Sequence, residues 1–137
     1  IAITWTIVLI FFPVLNEGIT RSIFWIGIAH YLYVFAITIP FDIRDLKHDS
    51  PSQRTIPQLL GSTNSRVLAL ILLTVFAVMM MMLIDSLRFN WLFHLAVLVQ
   101  MALVIFSNEK KPDIYFAGWI DGAIILLGLS YFAISGV

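Results

Sequence analysis

Cysteine is absent from this 137-residue chain, so no disulfide and no thiolate metal site can form. Charge is nearly absent too. Charged residues make up 12% of the chain, and eight basic side chains balance eight acidic ones. A net charge of zero supplies no basic footprint for nucleic acid. There is no initiating methionine and no cleavable signal-peptide pattern, because the chain opens at Ile1 already inside an apolar run. It therefore reads as a piece cut from a longer protein. No internal repeat is visible.

What fills the sequence is hydrophobic side chain. The apolar share is 61% and the mean hydropathy is +0.98. Soluble domains sit nearer half apolar and a quarter charged. Five apolar segments stand out, at about 1–15, 22–40, 66–84, 91–106 and 114–136. A membrane-crossing helix needs about 20 such residues. The second, third and fifth fit, the fourth is slightly short, and the first is truncated at its start. Their apolar character is continuous, without the alternation of a strand, and a lipid environment demands backbones that satisfy themselves. The expected fold class is all-α: a polytopic transmembrane bundle of five helices in one domain, embedded in a lipid bilayer. Met79–Met82 is read as flexible packing within the third segment.

Polar connectors separate the segments. Those at 16–21, 85–90 and 107–113 are tight hairpins, whereas the one at 41–65 is long. The second and fourth connectors carry Arg44, Lys47, Arg54, Arg66, Lys110 and Lys111, against only Arg21 and Arg88 on the other side. Six cations against two predict that the 41–65 connector is cytoplasmic. Trp5, Trp25, Trp91, Tyr115 and Trp119 lie near predicted segment ends, where interfacial aromatics belong.

The long connector contains "FDIRDLKHDSPSQRTIPQLLG", Phe41 to Gly61. Asp42, Asp45 and Asp49 are spaced i, i+3, i+7. If the preceding helix runs on past Pro40, they fall within an arc of about 60° on one face, with Arg44 and Lys47 directed away. Pro40 either kinks that helix or begins a new one. Pro51 blocks continuation, and residues 50–58 read as loop. Clustered carboxylates repel and call for a cation. Hard oxygen ligands on one face suit Mg²⁺, which keeps some waters and bridges to phosphates. Arg54, with Lys47 or Arg44, would contact diphosphate oxygens. Taken on spacing alone, a solvated mixed-charge loop is an equal alternative.

This stretch resembles the second aspartate-rich motif of the UbiA superfamily of intramembrane prenyltransferases. The matching residues are Asp42, Asp45, Asp49, Arg54, Thr55, Pro57 and Gly61. The resemblance implies a nine-helix fold of which this chain supplies helices five to nine. It implies that Asp42, Asp45 and Asp49 are metal-binding catalytic residues for Mg²⁺. It also implies an isoprenoid diphosphate donor and a hydrophobic or aromatic, electron-rich acceptor such as a quinone precursor. The family's first acidic motif has no counterpart here, so the expectation is a C-terminal half that is inactive alone.

Asp121 is the other singular residue, an ionisable group about two turns into the last segment. Such groups usually face protein or a wet cavity. It reads either as a cavity-lining residue near the acidic stretch or as a paired structural carboxyl. Gly118 and Gly122 flank it as G-x-x-x-G, a pattern that permits close helix approach. His30 and His94 read as hydrogen-bonded packing residues and His48 as solvated. Asp85 and Arg88, at i, i+3, read as a local ion pair. Two rivals to prenyl transfer stand beside it. One is a non-catalytic membrane module, such as a transporter half or an assembly subunit. The other is a phosphatidyl-type transferase, whose Asp-Gly and Ala-Arg elements do not occur between Asp42 and Asp49.

Overall fold

A computed structural model describes residues 21–50 and 52–135. The expected first helix and the turn after it lie outside these residues. Among the described residues the fold is entirely helical. The first helix, α1, spans Arg21–Asp45. The second, α2, spans Ile56–Leu83 and is interrupted at Gly61. A short 3₁₀ turn, Asp85–Phe89, leads to α3, Trp91–Ile105. A π-helical run, Tyr115–Ile120, then leads directly into α4, Asp121–Ser135.

Three stretches are long and apolar enough to cross a membrane: Arg21–Asp45, Ile56–Leu83 and Tyr115–Ala133. The chain is thus consistent with a multi-pass membrane protein. At 15 residues, α3 falls short of a full span: a rise of 1.5 Å per residue gives it about 22 Å. Helix α2 shows why lipid is the right solvent. Ser65, Ala69, Leu73, Phe76 and Met80 form its buried face. Val67, Ile71, Val75, Val78 and Met82 form an exposed face that is equally apolar. A helix apolar all round belongs in a protein core or a bilayer, and half of this one is uncovered.

The structure corrects the expected boundaries of the long connector. The second predicted segment does not stop at Pro40. Helix α1 passes through Pro40 and continues to Asp45. Pro40 removes one backbone donor, but it is fully buried and the helix holds around it. On the far side α2 begins at Ile56, within the stretch read as loop, with Pro57 in its first turn, where a missing N–H costs nothing. The non-helical connector shrinks to residues 46–55. Gly61 takes φ 78°, which separates a short first turn from the long remainder of α2.

Helix α1 packs mainly on α2, and α3 on α4. Ala29 and Ala36 on α1 and Ala69 on α2 are completely buried. Small side chains let neighbouring backbones approach. Between them sits Phe76, with no exposure, its ring 4.8 Å from Tyr33, 5.7 Å from His30 and 6.2 Å from Phe93. These separations are those of favourable aromatic pairs. Polar bonds cross the same layer. The Tyr33 hydroxyl donates to Gln100 Oε1 at 3.2 Å, and the Tyr131 hydroxyl lies 3.2 Å from His30 Nε2. His30 is thus the packing histidine expected, its Nδ1 held 2.9 Å from the Ile26 carbonyl. Asn90 caps α3 by accepting from Leu92 and Phe93 N–H, and donates to the Ser130 carbonyl of α4 at 2.8 Å.

Phe76→Ala is expected to lower unfolding stability in detergent by roughly 3 kcal/mol. Helix content by circular dichroism should stay the same at low temperature, since each helix satisfies its own backbone. An unchanged melting temperature would show that the aromatic layer is not the core.

Candidate functional site

The acidic residues gather where α1 ends. Ile43 is fully buried, which fixes the rotation of the last turn. Asp42 and Asp45, three apart, then share a half-buried face. The helical register survives one turn further, because the N–H of Asp49 donates to the Asp45 carbonyl at 2.9 Å. Asp42 consequently lies within the electrostatic reach of both Asp49 and Asp45. By running through Pro40, α1 carries Asp42 and Asp45 on its last turns, and Asp49 follows in the turn after it.

Of the two basic residues expected to turn away from the aspartates, Lys47 does so and Arg44 does not. Arg44 was expected to point away from the aspartates. Instead its guanidinium grips Asp45 in a fork, Nε to Oδ1 at 2.6 Å and Nη2 to Oδ2 at 2.9 Å. It also stacks 5.5 Å from the ring centroids of both Phe41 and Phe116. Nη1 stands 3.8 Å from Asp113 at the start of the α4 arm. Lys47 turns to Glu109 at 3.4 Å. Two ion pairs thus join the end of α1 and the turn after it to the α3–α4 connector. Position alone did not reveal Asp113 and Glu109 as partners, because they lie more than 60 residues along the chain.

Arg54 stands apart. It is exposed, has no ion-pair partner among the described residues, and adopts φ 51°. A non-glycine residue in the left-handed region carries about 1–2 kcal/mol of strain. Just after it, Gln58 closes the start of α2 by accepting from Thr55 N–H at 3.2 Å and donating to the Ser50 carbonyl at 3.1 Å. His48 is exposed, as expected.

Asp121 does not join the acidic patch. It is exposed at the junction of the π-helical run and α4, and its charge acts on Tyr33. Tyr33 lies nine residues before Asp42, about 13 Å along the axis. The G-x-x-x-G pair around it meets no neighbouring helix among the described residues. A Cβ on Gly122 would contact nothing within 4 Å, and one on Gly118 would touch only Ile114 of its own turn. Asp85 and Arg88 do form the expected ion pair, at 3.2 Å.

Among the described residues no three acidic or histidine side chains stand close enough to hold a metal ion as arranged. Both oxygens of Asp45 are moreover engaged by Arg44. The donor set is hard oxygen and suits Mg²⁺ once Arg44 yields. Comparisons with family models, with curated proteins and with solved structures give no match for this chain.

Arg44→Gln should leave the fold intact, since a partly exposed pair contributes about 1 kcal/mol or less. It should also free Asp45. Mn²⁺ binding by the full chain, followed by electron paramagnetic resonance, should tighten severalfold over wild type. Equal binding would separate Asp45 from any cation site.

Proposed function

We propose that this chain is the C-terminal half of a Mg²⁺-dependent membrane prenyltransferase of the UbiA type. The observation that carries this reading is the placement of Asp42 and Asp45 on the last turns of a membrane-length helix, with Asp49 in the turn that follows. In it Asp42, Asp45 and Asp49 hold Mg²⁺ on the cytoplasmic face, and the ion supplies Lewis-acid stabilisation of a departing diphosphate. Arg54, held in a strained conformation on the connector, contacts the diphosphate. Strained residues concentrate at functional sites, and this one has no structural partner among the described residues to account for it. Lys47 and Arg44 serve the same anion after leaving Glu109 and Asp45. Asp113 gives Arg44 a second carboxylate to move to. Apolar helix faces exclude water from the allylic carbon while an electron-rich acceptor attacks it.

A second reading rests on the same ion pairs. Arg44 and Lys47 neutralise Asp45 and Glu109 locally, as in a non-catalytic membrane module whose connectors are simply tied together.

Activity separates the two. Membranes carrying the full-length protein should transfer label from an isoprenoid diphosphate to endogenous acceptor only with Mg²⁺. Asp45→Asn and Asp49→Asn should each reduce transfer by more than about 10- to 100-fold, the range already seen for outer-shell residues of metal sites. Undiminished transfer in both variants would sink the prenyltransferase reading. Absence of pyrophosphate release from the wild type would favour the membrane module.

A further inference from the structure

A second polar site lies at the same end of the bundle, facing away from the aspartates. It is a cavity of about 390 Å³ lined by Ile43, Ser62, Arg66, Asn108, Glu109 and Lys110. On α1, Asp42 is turned about 100° from Ile43 and Asp45 about 160° from it, so neither carboxylate shares the direction of the residue that lines the cavity.

The cavity is built by local structure. The break at Gly61 restarts the helix at Ser62 and places Arg66 one turn later on the same face. Arg66 Nε donates to the Ser62 carbonyl at 3.2 Å, and Nη1 donates to the Ile105 and Ser107 carbonyls at 3.2 and 3.4 Å. The guanidinium is thus pinned against the end of α3, while its Nη2 has no partner among the described residues. Asn108 Oδ1 accepts from the Lys110 N–H at 2.9 Å and shapes the turn that presents Lys110. The Lys110 ammonium has no ion-pair partner among the described residues. The one acid in the lining, Glu109, is already paired with Lys47 at 3.4 Å.

Two cations, a serine hydroxyl and an amide around such a volume describe an anion site, and guanidinium geometry favours phosphate. The surroundings are apolar. Leu59 and Leu60 just before Gly61, and Ile105 and Phe106 just before Asn108, are all exposed. Basic pockets between membrane helices take anionic headgroups. We propose that this cavity binds a phosphate-bearing anion at the membrane surface, in the manner of a phospholipid headgroup whose chains lie along these apolar side chains. The proposal does not depend on prenyl transfer.

The test uses the full chain in detergent, with lipid retention measured by native mass spectrometry. Phosphatidylglycerol should be retained in preference to phosphatidylcholine, and millimolar inorganic phosphate should compete with it. Lys110→Gln should weaken phosphatidylglycerol retention about fivefold, the electrostatic worth of one cation near a membrane surface. Lys111→Gln makes the same charge change outside the cavity, on a lysine stacked 5.0 Å from Tyr115, and should weaken retention clearly less. Arg66→Gln should weaken retention further. Because Arg66 also holds α3, the Lys110 and Lys111 pair carries the test if that variant does not fold. Retention of phosphatidylglycerol without competition from free phosphate supports the site and identifies a lipid ligand. Phosphate binding alone, with the same dependence on Lys110, supports the site and identifies a soluble ligand. No preference over phosphatidylcholine and no phosphate binding would overturn the proposal, as would equal losses from the two lysine variants.

Discussion

The seating of Phe76 against Tyr33, His30 and Phe93 is the contact on which the rest of this fold depends. Lipid chains are as apolar as leucine, so no hydrophobic force pushes these helices together. Association has to come from close packing and from polar bonds in a medium with no water. The Phe76 layer supplies both, because two of the rings around it, those of Tyr33 and His30, belong to residues that also hydrogen-bond across helices. Completely buried alanines on α1 and α2 allow the close approach that the layer needs. Once α1 is fixed in rotation by this packing, the direction of Asp42 and Asp45 at its end is fixed as well.

The polar chemistry is correspondingly segregated. Of the two ends of the bundle, the one at Asp45 carries the three aspartates, the Arg44 fork, the Lys47–Glu109 pair and the Arg66 cavity. Arg44 is the pivot of that end. It neutralises one aspartate, caps two aromatic rings and faces a second carboxylate in the α3–α4 connector. A cation in this position offsets the repulsion that Asp45 would otherwise add to its neighbours. It also makes the availability of Asp45 conditional on where Arg44 rests.

How much of this could be read from the sequence depended on distance along the chain. Continuous apolar runs sufficed for the membrane-length helices, and i, i+3 spacing sufficed for the shared face of Asp42 and Asp45. The Asp85–Arg88 pair was legible for the same reason, since both members lie on one turn. Arg44 was misread because helical angle describes where a Cα–Cβ bond points, and a long flexible side chain can still fold back to its neighbour. Its other partner, Asp113, becomes adjacent only when α4 returns to α1. Pro40 misled in a different way. Proline usually marks a helix end, but burial on all sides held this helix together. The break fell instead at Gly61, a residue that the pattern treated only as the end of a motif.

Helix α3 differs from its neighbours in what holds it in place. A helix that matches the bilayer is set in depth by the lipid itself, with polar ends in water and apolar length in hydrocarbon. At 15 residues α3 has no such match. It is slung from its neighbours at three heights: at its start by Asn90 on the Ser130 carbonyl, at mid-length by the Tyr33–Gln100 bond, and at its end by Arg66 on the Ile105 carbonyl. These tethers run to α4, α1 and α2 respectively. The depth of α3 is therefore a property of the protein and not of the surrounding membrane, and it carries the turn bearing Glu109 and Lys110 at a height that bilayer thickness does not set.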